Sequence, residues 1–329
     1  MDAVRFSLLL FLLSSLFISS LSARCNPNDK NVLLKIKKSL NNPYLLASWD
    51  PSTDCCNWYC VECDLQTNRI VELTIFSGEI SGQIPPSVGD LPYLNTLVFR
   101  KLSNLSGEIP PSIAKLKNLK MLRLSWTNLS GSVPQFLSQL QNLEFLELSY
   151  NNLSGSIPAS LASLTKLGAL HLDRNRLTGE IPESFGHFAG TVPDLYLSHN
   201  QLSGKIPESL GNLDFSVIDL SRNKLVGDAL MLFRNPARST FRIDISRNLL
   251  EFDLSGALFP MNLTLLDISH NRIWGNIPSQ ITALEDLQLF NASYNRLCGK
   301  IPQGGKMQGF DYSSYFHNRC LCGPPLNKC

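Results

Sequence analysis

The sequence predicts an α/β solenoid: a right-handed superhelix of ten short repeats, with a parallel β-sheet on its concave face and a disulfide-bonded cap at either end. Three observations predict it. A phrase, L-x-L-S-x-N-x-L-S-G-x-I-P, returns about every 24 residues, most plainly at Leu146–Pro158, Leu170–Pro182, Leu195–Pro207 and Leu266–Pro278. A fixed period of that length marks leucine-rich repeats. Apolar and polar residues alternate at the start of each phrase, as in a half-buried strand. The nine cysteines fall in two clusters, within residues 25–63 and 298–329, with none between.

Length alone, 329 residues, would suggest two domains. A solenoid instead grows by adding units, so the chain divides into segments of one stack. Residues 1–23 stand apart as a secretory signal peptide: Arg5, then an apolar run from Phe6 to Ile18, then small residues before a cut near Ser22 or Ala23. Ser14 and Ser15 interrupt the run, which argues against a membrane anchor. No later stretch is long and apolar enough to span a bilayer. The mature chain is expected to be a secreted, extracellular monomer. Net charge is +2, too weak to imply nucleic acid; it leans only toward acidic polysaccharide.

Residues 24–66 read as the N-terminal cap, with a helix pattern at Val32, Leu33, Ile36 and Leu40, then Trp49 and five cysteines. In a secreted chain these read as disulfides, which hold small caps together. Cys60-Val61-Glu62-Cys63 has the spacing of a metal or redox pair. No second CxxC or His-rich set completes a zinc site, so neither metal nor cofactor is expected. Nine is odd, so at least one cysteine lacks an intramolecular partner.

Residues 67–302 hold the ten repeats. Their paired strand positions are Leu73/Ile75, Leu97/Phe99, Leu122/Leu124, Leu146/Leu148, Leu170/Leu172, Leu195/Leu197, Ile218/Leu220, Ile243/Ile245, Leu266/Ile268 and Phe290/Ala292. Asn151, Asn175, Asn200, Asn223, Asn248, Asn271 and Asn295 follow the strands, where an inward amide can satisfy backbone groups of neighbouring coils. Thr127 takes that place in the third repeat, where a hydroxyl can do part of the job. The Gly of each phrase permits an unusual turn. The Ile-Pro opens an extended segment, and a short helical turn follows on the outer side. Residues 303–329 lose the phrase and form the second cap.

Function must lie in the outward positions. Between the strand leucines run Arg123, Glu147, His171, Tyr196, Asp219, Asp244, Asp267 and Asn291. After the second leucine stands a Ser column, including Ser149, Ser198 and Ser221, broken by Asp173. Next come Trp126, Tyr150, Arg174, His199, Arg222, Arg247, His270 and Tyr294. With strands about 4.8 Å apart, these form parallel stripes on the concave face. Tyr, Trp and Arg are the residue types that anchor protein interfaces. Any single charge here reads first as part of a solvated, ion-paired face; the stripe as a whole reads as a binding surface. Asp219, Asp244 and Asp267 would supply a glycosidase's carboxylate pair, and Ser198, His171, His199 and Asp219 a hydrolase triad. An open curve without a desolvating pocket speaks against both, so the chain is not expected to be an enzyme. Five N-x-S/T sequons, Asn104, Asn128, Asn152, Asn262 and Asn291, are glycosylation candidates, with Asn128 and Asn152 expected to face solvent.

The phrase resembles plant extracellular leucine-rich repeats, and NDKNVLLKIKKSL…SWDPSTDCCNWYCVECD resembles their N-terminal cap. The stretches VGDLPYLNTLVFRKLSNLSGEIP and LSRNKLVGDALMLF, with the ending SYNRLCGKIPQGG…YFHNRCLCGPPLNKC, resemble the polygalacturonase-inhibiting proteins along the whole mature chain. The resemblance implies a secreted plant defence glycoprotein of the cell wall (apoplast). Members bind fungal, in some cases insect or bacterial, endopolygalacturonases through the concave face and slow pectin breakdown. Pectin (homogalacturonan) itself is a further implied partner. It also implies the pairs Cys25–Cys55, Cys56–Cys63, Cys298–Cys320 and Cys322–Cys329. Cys60 stands where many plant caps have Gly, so it is the candidate odd thiol. The inhibitory surface it implies comprises Glu147, Ser149, His171, Asp173, Tyr196, Ser198, Asp219, Ser221, Arg242 and Asp244. His171, His199 and His270 are expected to make binding pH-dependent, since the wall is mildly acidic and the intrinsic pKa is about 6.5. The rival functions are a ligand-binding or co-receptor protein for a peptide or hormone, and an ice-binding protein.

Overall fold

A computed structural model describes residues 25–329. The expected signal peptide, residues 1–23, lies outside the described residues. Ten parallel strands, from Ile70–Phe76 through Leu289–Asn291, form one sheet in sequence order. The register matches like positions: Leu146 pairs Leu170, Leu170 pairs Leu195, Ile218 pairs Ile243, and Leu266 pairs Phe290. The inward strand residues are buried in one continuous core that runs the length of the stack. The expected outer helical turns are 3₁₀ turns, such as Pro111–Lys115, Ala159–Ser163 and Ser279–Ala283. Each follows a proline, whose fixed φ and missing N–H suit the start of such a turn.

The asparagines join adjacent coils. Asn175 donates from Nδ2 to the carbonyls of Leu148, 2.9 Å, and Leu172, 3.1 Å. Its Oδ1 accepts from Leu153 N–H at 3.0 Å. One side chain thus satisfies buried backbone on two coils. Thr127 does something different from the expected partial substitute: its hydroxyl donates to the Asn151 amide oxygen, and Asn151 serves the backbone of that coil through Leu124 O and Leu129 N–H.

Two features go beyond the periodicity. Short second ladders run beside the main sheet, as where Ser154–Gly155 pairs Arg176–Leu177 and Trp274–Gly275 pairs Arg296–Lys300. Glycine makes that corner: Gly204 has φ +75°, and a Cβ there would stand 2.6 Å from Glu180 Cγ. The C-terminal cap also keeps part of the pattern that its sequence hides. Asn318 Nδ2 donates to Ala292 O at 3.0 Å, and Asn318 Oδ1 accepts from Leu297 N–H at 3.0 Å. The cap therefore opens as a partial eleventh coil.

At the other end, α1 (Pro27–Ser39) is capped by Asn26 and bolted to the first repeat. Asp29 is buried and takes both Arg69 Nη2, 2.7 Å, and Ile70 N–H, 3.1 Å. A strand at Val61–Cys63 lies antiparallel to Ile70–Phe76 and closes that edge of the sheet. The structure joins Cys25 to Cys55, Cys56 to Cys63, Cys298 to Cys320 and Cys322 to Cys329. Cys63 is thereby committed to Cys56, so Cys60 and Cys63 are not a CxxC unit. Cys60 is the free thiol, and burial pushes its pKa up to about 11.

Candidate functional site

Strand alternation sends three residues of each coil outward on the concave side, one before the first leucine, one between the leucines and one after the second. The first of these columns is polar on the first two coils, Glu72 and Thr96, and mainly apolar after them: Met121, Phe145, Ala169, Val217, Leu265 and Leu289 are interrupted by Asp194 and Arg242. Arg242 is the one member that the resemblance singled out. The signal that would have revealed the rest is the same alternation, extended one residue toward the N-terminus.

The Ser column is not a contact surface. Ser149, Ser198 and Ser221 are at most 5 % exposed. Ser221 donates N–H (3.1 Å) and Oγ (2.7 Å) to Asp219 Oδ1, and Ser246 does the same for Asp244 at 3.0 and 2.7 Å. Ser149 likewise donates Oγ to Glu147 Oε1 at 3.3 Å, so Ser149 and Ser221 orient carboxylates of the face. Glu147 and Asp219 are themselves nearly buried. Glu147 is ion-paired with Arg123 at 2.5 Å, and Asp219 accepts from Arg242 Nη2 at 3.4 Å. Asp219 is thus engaged on both oxygens and is no free catalytic base.

Asp173 and Asp244 are the groups poised to titrate. Burial, then the Asp219 and Asp267 charges, raises Asp244 to about 6; the Ser246 hydrogen bonds oppose this. Burial, then the Asp219 and Glu147 charges, raises Asp173 to about 6. The histidines move the other way. Burial lowers the pKa of His171, which packs between Phe145 (5.2 Å) and Tyr196 (4.3 Å). Burial and nearby arginines lower His199 and His270. Two aspartates of this face, Asp173 and Asp244, thus also titrate in the mildly acid range.

The stripe beginning at Trp126 occupies the corner where each coil leaves the strand. Every one of its residues has positive φ, from 53° at His199 to 56° at Tyr150. Their side chains stack. Trp126 lies on Tyr150 with ring centroids 3.6 Å apart, and the Arg174 guanidinium covers Tyr150 at 4.8 Å. At the other end His270, Tyr294 and His317 stack at 4.2 and 4.4 Å. Between the stripes runs an open trough of about 460 Å³, lined among others by Tyr150, Asp173, Tyr196, Asp219, Arg242, Asp244 and Asn291.

The structure thus brings Asp173, Tyr196, Ser198, Asp219, Ser221, Arg242 and Asp244 to one trough. Glu147 and Ser149, on the coil that contributes Tyr150, and His171, on the coil that contributes Asp173, lie beside it. Of the sequons, Asn104, Asn128 and Asn262 are exposed. Asn152, expected to face solvent, is half-buried and donates to the Asn128 amide oxygen. Asn291 sits on the concave face itself, where its Oδ1 holds Ser293 Oγ at 2.8 Å.

Known proteins share both the sequence and the shape. A leucine-rich-repeat N-terminal domain model matches residues 26–64, and leucine-rich-repeat models match residues 117–177, 194–213 and 262–284. A polygalacturonase inhibitor of Vitis vinifera is 68 % identical, over 98 % of this chain and 96 % of its own length. One from Pyrus communis is 64 % identical over 98 % and 97 %. Among solved structures, a plant ice-binding protein superposes with a TM-score of 0.91 at 53 % identity, over 93 % of this chain and 98 % of that one.

Proposed function

Because the chain belongs to the polygalacturonase-inhibitor family of leucine-rich-repeat proteins, we propose that it is a secreted cell-wall protein that binds fungal endopolygalacturonases through its concave face and slows their attack on pectin. The observation that carries this is the end-to-end likeness to inhibitors at 62–68 % identity. Among the described residues no helix is long and apolar enough to cross a membrane, in keeping with an extracellular protein. The binding residues are Glu147, His171, Asp173, Tyr196, Asp219, Arg242 and Asp244, with Ser149, Ser198 and Ser221 supporting them. The mechanism is steric and electrostatic. A rigid curved face, stiffened by hydrogen bonds between coils, meets the enzyme near its cleft. Ionised carboxylates of the trough attract the basic groups that hold polygalacturonate. Asp173 and Asp244 lose their charge as pH falls through about 6, so affinity for a basic surface falls in the same window.

The test is direct. Purified protein is titrated into a panel of fungal endopolygalacturonases, and reducing ends released from polygalacturonic acid are followed. Dose-dependent slowing of at least one enzyme is expected; no effect across a broad panel sinks the proposal. Ice binding is the second reading, favoured by the 0.91 TM-score of the ice-binding protein. The charged, curved concave face opposes it, because a lattice is matched by a flat regular surface. Thermal hysteresis in solution would overturn that judgement.

A further inference from the structure

Each coil turns two corners that require positive φ, and the sequence treats them oppositely. At the corner beside the second ladder the residue is glycine in nearly every coil, as at Gly131 (φ +82°) and Gly179 (φ +77°). Glycine adopts that conformation without steric cost. At the corner after the strand the same left-handed conformation recurs eleven times, from Ser77 to His317, and no glycine or asparagine occurs there. Those are the residues that tolerate it best. β-Branched residues are absent as well, as the conformation demands. Histidine, which also tolerates the conformation, stands at His199, His270 and His317; the other central corners hold Trp, Tyr and Arg. A strained conformation held by bulky residues, coil after coil, is the kind of outlier that accompanies function.

We propose that this corner column is kept for its side chains, and that the stack Trp126–Tyr150–Arg174 is the specificity anchor for the partner enzyme. This rests on the inhibitor reading above and adds to it, since none of the three is among the residues assigned to binding there. The stack has the features of an interface hot spot. Trp126 keeps 42 % of its surface exposed although it lies flat on Tyr150. Arg174 caps the far face of the stack and, among the described residues, is in no salt bridge. Stacked rings and a guanidinium fixed over them lose little freedom on binding, so contact with them is cheap in entropy. The chemistry they present fits a protein surface that offers an exposed apolar side chain beside a carboxylate: the first covers Trp126, the second pairs with Arg174. Arg174 itself borders the trough, where Asp173, Asp219, Asp244 and Asp267 alternate with Arg222, Arg242 and Arg247, so one partner would meet the corner cation and both signs of charge beside it. That alternation is what discriminates between similar partners.

Strain makes the test clean, because glycine at this corner relieves the backbone while deleting the side chain. Trp126→Gly and Arg174→Gly are made in the full chain, with Trp126→Phe beside them. Melting temperature is read by calorimetry. Affinity is read by surface plasmon resonance against an endopolygalacturonase that the wild type inhibits. The expected result is a melting temperature equal to or above wild type for both glycine variants, with affinity at least threefold weaker for each, and Trp126→Phe recovering most of the loss. Affinity within threefold of wild type in both glycine variants overturns the proposal. So does a melting temperature several degrees lower, since the column would then be held for stability. If the wild type inhibits no enzyme in the panel, the inhibitor reading fails instead; the melting comparison still decides whether the side chains are kept at a cost.

Discussion

Replacing Asp244 by Asn should stabilise the protein at neutral pH and weaken its dependence on pH. Asp244 is half-buried between Asp219 and Asp267 on the flanking strands, in register with both. Its ordinary value of 3.8 is raised to about 6 by burial first and by those charges second. Between 3.8 and about 6 the native state binds more protons than the unfolded chain, so stability rises as pH falls through that window. At pH 7 the ionised side chain therefore costs about 3 kcal/mol, and at pH 5 that cost falls by about 1.3 kcal/mol. The same coil position shows that Asn fits. Asn291 Oδ1 accepts from Ser293 N–H at 3.1 Å and Oγ at 2.8 Å, the same clamp that Ser246 makes on Asp244. Denaturant melts of wild type and Asp244→Asn at pH 7, 5 and 4 measure the gap. A variant ahead by about 2 to 3 kcal/mol at pH 7, with the gap closing toward pH 4, is expected. The comparison also removes the histidines from the result. Their lowered pKa values give stability that is lost as pH falls through the unfolded value, in both proteins alike. A variant less stable than wild type at pH 7, or a gap that does not change with pH, would refute the reasoning.

Other outcomes follow from single residues. Asn175→Ala leaves Leu153 N–H and the carbonyls of Leu148 and Leu172 buried without their partner, so a loss of about 3 kcal/mol or more is expected in urea melts; a loss below about 1 kcal/mol would mean water replaces the amide. A thiol count on unreduced, denatured protein should find one group, Cys60, and in the native state it should alkylate slowly at pH 8 because its pKa is pushed up to about 11; two or more groups would contradict the disulfide pattern. Cys60 has φ +71°, so Cys60→Gly should melt at or above the wild-type temperature, and a clear drop would show that the thiol packs usefully.

Much of this was legible in the sequence because a repeat speaks about each position ten times. The inward leucines, the asparagines, the 3₁₀ turns after proline and the spacing of the strands all follow from one coil's chemistry. Where the phrase broke down, legibility did too. The partial eleventh coil at Asn318 is hidden because the strand leucines before it give way to Tyr312–Phe316. The antiparallel strand Val61–Cys63 has no repeat to advertise it and pairs only after the cap folds onto Arg69 and Ile70. The positive φ along the Trp126 stripe is likewise invisible, since its residues are not those that usually mark a left-handed turn.

The sequence by itself determined the solenoid, its ten full coils and the side of each strand that faces out, because alternation and period are local and repeated. The tertiary structure alone decided what the outward residues are. Serines one step along the chain from exposed residues are buried by coils 23 to 25 positions away. Carboxylates alike in the phrase meet different surroundings: Asp219 has Arg242 against it, while Asp244 is raised to about 6 by burial first and then by the charges of Asp219 and Asp267. Burial and electrostatics depend on distance in space, and in a solenoid a residue's neighbours in space lie one coil away.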